Sequence, residues 1–156
     1  MEQAKNRFMQ AAIDEALYGI EHGHGGPFGS VIVKDGNIIA KNHNRVIEKN
    51  DPTCHGEMEA IRTASQITDS CDLFGCELYT TGEPCPMCLF ACLWAKIDKV
   101  YYGCTIEDNS AIGFRDKQFH DIGDGREKLN DYLTCTDREA CLDLFYKYSR
   151  SEHTLY

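Results

Sequence analysis

The sequence predicts a layered α/β domain on a mixed sheet, and three observations carry that expectation. Apolar residues recur at helical spacing near the start, two β-rich runs meet at an Asp-Gly turn, and short strands then alternate with helical segments. Such alternation implies parallel strands joined by helical crossovers, with the hairpin forming one side of the sheet. A length of 156 residues suits one compact domain and is short for two.

Phe8, Ala12, Ala16 and Ile20, with Met9, Ile13 and Leu17 beside them, predict an amphipathic first helix of about four or five turns. The cluster GHGGPFG ends it. SVIVKDGNIIAKN then reads as two short strands joined by Asp35-Gly36-Asn37, a hairpin signal. In NDPTCHGEMEAIRTASQ, Asp, Pro and Thr precede helical spacing at Met58, Ile61 and Ala64, so a loop delivers a helix start with His55 and Glu57 on its first turn. CELYTT is a strand, PCPMCLFACLWAK a helix with Pro86 near its start, and KVYYGC another strand. From about Thr105 to Arg126 the chain is acidic and glycine-rich, without a periodic signal. A last helix is predicted over about Asp137 to Arg150, with Ala140, Leu144 and Tyr148 on one face.

The composition, 42% hydrophobic and 26% charged without low-complexity tracts, is that of a folded protein and not of a disordered one. The acidic, interrupted start fits neither a signal peptide nor a membrane span, so a cytoplasmic protein without a membrane partner is expected. Nine cysteines are an odd number in a chain large enough to need no staples, and most are expected as reduced thiols. The net charge of −9 argues against a nucleic-acid backbone as partner.

Both motif helices are expected to start at one edge of the sheet, where ligands of open α/β sheets bind. That brings His55, Cys85 and Cys88 together. Thiolate and imidazole suit zinc, and three protein ligands leave a fourth position for a water that ionises near neutral pH. Glu57, two residues past His55, suits a proton carrier beside the metal. H-x-E followed by P-C-x-x-C is the signature of zinc deaminases, here HGE at 55–57 and PCPMC at 84–88. A redox dithiol would explain the two cysteines but leave HGE idle. A structural zinc would need Cys54 or Cys92 as a fourth ligand. Glu83 is not expected to be the catalytic acid.

On GGPFGSVIVKDG, NDPTCHGEMEAIR, GEPCPMCLFACLWA and IGFRD, the chain resembles the cytidine deaminase superfamily and, within it, the bacterial guanine deaminases of that fold. The resemblance implies a three-layer α/β/α sandwich with a central mixed five-stranded sheet, one Zn2+ per chain, and a homodimer in which about 137–156 is exchanged between subunits. It implies zinc ligation by His55, Cys85 and Cys88, with Glu57 as the catalytic proton shuttle. It also implies substrate contacts from Asn44, Phe28 and Asp116, and from Tyr156 at the chain end. Trp94 is a further candidate for the pocket wall. The implied reaction is hydrolytic deamination of a small nucleobase, guanine to xanthine plus ammonia. Cytosine, guanosine or cytidine deamination and tRNA adenosine deamination are the alternatives. Gly56, Gly82 and Arg115 depart from the residues commoner in that family.

Overall fold

The computed structural model describes residues 3–123 together with Arg138 and Leu142. The chain divides into two compact units, 1–121 and 122–156, and the elements below belong to the first. Helix α1 (Arg7–Glu21) begins at Asn6, whose side-chain oxygen accepts the N–H groups of Phe8 and Met9 at 2.8 and 3.2 Å. Its small residues Ala12 and Ala16 lie on the sheet. A Cβ at Gly29 would stand 2.0 Å from the Ala12 carbonyl oxygen, so the absence of a side chain there sets how closely helix and strand approach.

Strands β1 (Gly29–Lys34) and β2 (Asn37–His43) form the expected hairpin. Asp35 and Gly36 both take positive φ, 49° and 72°, as a two-residue turn matched to strand twist requires. The short α2 (Val46–Lys49) and then α3 (Gly56–Thr68) follow. Next come β3 (Cys76–Gly82), α4 (Pro86–Trp94) and β4 (Lys99–Cys104). The sheet order is β2-β1-β3-β4, with β1 antiparallel to both neighbours and β3 parallel to β4.

Alternation along the strands divides the core. Val31, Val33 and Tyr79 pack with Ala12 and Phe8, whereas Ile32 and Leu78 pack with Ala60, Ala64 and Cys92. Among the described residues the sheet has four strands and not the five expected. After β4, Thr105 and Asp108 form a reciprocal capping box that starts a helix in place of a further strand. The segment without a periodic signal thus holds two short helices, α5 (Ile106–Ala111) and α6 (Asp116–His120). Of the predicted last helix, only Arg138 and Leu142 fall within the described residues. No helix among the described residues is long and apolar enough to cross a membrane.

This topology positions the site. Because β2, β3 and β4 all run opposite to β1, their C-terminal ends share one sheet edge with the start of β1. Phe28, Asn44, Glu83 and Thr105 therefore emerge side by side from distant parts of the sequence.

Candidate active site

His55 and Cys85 occupy equivalent places. Each is the extended residue before a helix, at φ −66°, ψ 158° and φ −63°, ψ 165°. Pro86 fits the first turn of α4, where no backbone donor is needed. Cys88 lies one turn inside α4. The Nδ1 of His55 is 3.6 Å from Cys85 Sγ and 3.5 Å from Cys88 Sγ, and the three donor atoms all lie within 4.8 Å of one another. Zn–N of about 2.0 Å and Zn–S of about 2.3 Å at a tetrahedral angle give a nitrogen–sulfur separation of about 3.5 Å. The donor set and its spacing fit zinc.

The electrostatics agree with a cation site. The Cys85 thiol is pulled down to about 4, chiefly by the Cys88 thiol that donates to it and then by the His55 ring, against the opposing effect of burial. Cys88 moves up because it donates to Cys85 and is buried. His55 moves up because of the Cys85 thiolate. A lowered Cys85 thiol beside His55 favours the thiolate form that a metal ligand takes. Neither proposed fourth ligand joins the cluster. Cys54 is buried, its thiol is raised by burial and by Glu59, and it accepts from Arg62. Cys92 belongs to the core below α4, its thiol pushed up to about 12 by burial. Three such ligands, with no fourth among the described residues, match the arrangement of a catalytic metal centre.

A cavity of about 650 Å³ opens onto this cluster, and His55, Cys85 and Glu57 line it. Glu57 is only 5% exposed, and burial pushes its carboxyl up to about 7. A carboxyl poised there exchanges protons near neutrality.

Phe28, Asn44 and Asp116 line the same cavity. The backbone N–H of Asn44 donates to the Phe28 carbonyl at 2.7 Å, and the Asn44 side-chain oxygen accepts the Val46 N–H at 3.1 Å. A Cβ at Gly25 would stand 2.1 Å from that oxygen. Phe28 meets Phe114 edge to face, with centroids 4.8 Å apart. The Asp116 carboxyl is raised by burial and by the Cys85 thiolate, partly offset by a hydrogen bond from Asn109.

Two candidates stand apart. Trp94 is 69% exposed and is not among the cavity-lining residues. Six helical positions past Cys88 turn it by about 240°, away from the ligand side. Tyr156 lies outside the described residues. Glu83 lines the cavity, yet its side chain accepts the Ile106 N–H at 2.9 Å and so holds the start of α5. Asn109, Phe114 and Phe119 were not singled out from sequence. Only Phe114, inside IGFRD, carried a signal that pointed there.

The model of the cytidine and deoxycytidylate deaminase zinc-binding region matches residues 2–104. The chain is 48% identical over 109 residues to the guanine deaminase of Bacillus subtilis strain 168, covering 70% of each chain. It is 46% identical over 108 residues to the tRNA-specific adenosine deaminase of Aquifex aeolicus strain VF5, covering 69% of this chain and 71% of that one. The X-ray structure of Bacillus subtilis guanine deaminase superposes with a TM-score of 0.83 at 36% identity, covering 98% of this chain and 100% of that chain.

Proposed function

The chain belongs to the cytidine and deoxycytidylate deaminase zinc-binding family and is a hydrolytic deaminase; from that premise we propose that it converts guanine to xanthine and ammonia. His55, Cys85 and Cys88 would hold one zinc per chain, which when bound would supply a water of lowered pKa as the nucleophile. Glu57 would carry one proton of the attacking water to the ring nitrogen beside the reacting carbon, where it stays, and then the second, from the hydroxyl now on that carbon, to the departing amine. Its burial keeps the carrier close to neutrality and out of bulk water.

The observation that carries guanine is Asp116, a half-buried carboxylate lining the same cavity as His55 and Glu57. The carbon attacked in guanine has a ring nitrogen acceptor on one side and an N–H on the other. Cytosine and adenine offer a similar acceptor but no N–H at the second position. An ionised carboxylate only accepts hydrogen bonds, so Glu57 on the first flank and Asp116 on the second match guanine. Phe28 supplies an aromatic face for the flat base, and Asn44 an amide for its edge. The superposition on the Bacillus subtilis guanine deaminase, over 98% of this chain, supports the same reading.

A second reading, deamination of adenosine in tRNA, is favoured by the 46% identity to the Aquifex aeolicus enzyme. The net charge of −9 speaks against it. We also infer a homodimer, because α4 presents Leu89, Phe90, Leu93 and Trp94 outward, 42–69% exposed, as a face that a second copy covers. Ammonia release from guanine, guanosine, cytosine, cytidine and adenine, with inosine formation in an anticodon stem-loop as the parallel arm, tests the assignment. Guanine is expected to be turned over fastest. Inosine formation without guanine turnover would sink it.

A further inference from the structure

We propose that Asn109 is a positioning residue that holds Asp116 in place for the substrate, an inference that rests on the reading of Asp116 above. Asn109 is 2% exposed and sits on α5, between the loop leading to Cys85 and the start of α6. Its side-chain nitrogen donates to Asp116 Oδ2 at 3.1 Å and to the Glu83 carbonyl at 3.4 Å. Both amide hydrogens are therefore used, one on the substrate-side acid and one beside the metal loop.

The other end of this clamp is itself fixed. The Glu83 N–H donates to the Cys104 carbonyl at 2.7 Å, and its carboxylate accepts the Ile106 N–H at 2.9 Å. The Asn109 backbone carbonyl accepts the Phe114 N–H at 3.2 Å, so the turn that carries Phe114 towards Asp116 is tied to the same residue. One buried amide thus links Asp116 to the strand end that feeds Cys85. It engages one carboxylate oxygen and leaves the other to accept from a ligand.

Gly82 belongs to this arrangement. A Cβ there would stand 3.0 Å from Asn109 Oδ1 and 3.0 Å from the Phe28 ring. A side chain at 82 would press on both the amide and the aromatic wall. The glycine at this position, unusual for the motif, leaves the room that Asn109 occupies.

The chemistry asks for an amide here and not merely for bulk. An aspartate would set a second carboxylate against Asp116, and a leucine would fill the space without a donor. The test is Asn109→Leu, made in the wild-type chain and in an Asp116→Ala background, with KM and kcat for guanine and zinc content per chain measured for each. In the wild-type background, kcat/KM is expected to fall about tenfold or more, mainly through KM, as befits a lost hydrogen bond to a charged group. Zinc content is expected to stay unchanged. In the Asp116→Ala background the same substitution is expected to change KM less than about twofold, because the two residues act as one unit.

An undiminished effect in the Asp116→Ala background overturns the inference, as does an unchanged KM in the wild-type background. Loss of zinc overturns it too, since the amide would then serve the metal loop. If Asn109→Leu does not fold, Asn109→Ser is carried through the same cycle. Wild-type protein that releases no ammonia from guanine means that the substrate reading has failed instead, and the cycle is then read on whichever base is turned over.

Discussion

The proposed metal side and the proposed substrate side of the cavity are assembled by different means. His55, Glu57, Cys85 and Cys88 come from two helix starts, each residue on or within one turn of a cap, so a short local pattern fixes their chemistry. Phe28, Asn44 and Asp116 come from a loop, a strand end and a short helix, and they meet only because the sheet directions bring those ends to one edge. The metal side is therefore written in spacing and the substrate side in topology. Substitutions on the first should act on kcat, and those on the second on KM and on the choice of base.

Glu57→Gln is the sharpest way to break that division. The amide keeps the shape and removes the proton carrier, so kcat for the preferred base is expected to fall about a hundredfold to ten-thousandfold. Zinc per chain and KM are expected to change little, as metal analysis and steady-state kinetics would record. Loss of zinc on this substitution would place Glu57 among the ligands and erase the distinction between carrier and metal cluster.

The same division decides what could be read before the structure. The hairpin was legible because Asp35 and Gly36 are turn residues, and the clustering of His55, Cys85 and Cys88 was legible because H-x-E and P-C-x-x-C each sit at a helix start. α5 and α6 were not, because six and five residues are too few to show a helical period, and α5 starts from a cap and not from an apolar stripe. Asn109 was illegible for a related reason. Its partners Glu83 and Asp116 lie 26 and 7 residues away, and nothing in a lone buried asparagine points to them. Trp94 was read as a pocket wall from its nearness in sequence to Cys88, but helix rotation carries it outward.

Asp116→Asn should produce a smaller and more selective change. The amide turns an acceptor into a group that also donates, and the donor faces the N–H that guanine brings. Guanine kcat/KM is expected to drop about tenfold to a hundredfold, while any residual cytosine turnover stays within a few-fold. Equal losses on both bases would mean that Asp116 belongs with the metal side and works in the chemistry common to them.

The smallest effect on turnover is expected at Glu59, one helical turn past His55 yet outside the cavity. This carboxylate is 3% exposed and paired with Lys49 and Arg62, so it braces the start of α3 against α2. Burial opposes its charge, but the hydrogen bonds from Lys49 and Arg62 prevail and hold its carboxyl below the usual value. A carboxyl depressed on folding contributes stability that is present above about pH 4.5 and is lost as pH falls through its lower folded value. Glu59→Gln leaves two half-exposed cations that water can solvate, and is expected to cost about 1–2 kcal/mol at pH 7. The difference from wild type should shrink as pH drops below about 4.5. Urea midpoints for both proteins at pH 7 and pH 4 measure this, and subtraction removes any metal loss that the two share. The folded variant should keep kcat and KM within about twofold of wild type, because Glu59 supports the position of His55 without entering the cavity. A large fall in kcat at full zinc occupancy would show that the bracing pair sets the geometry of the ligands, and the metal side would then depend on topology as much as the substrate side does.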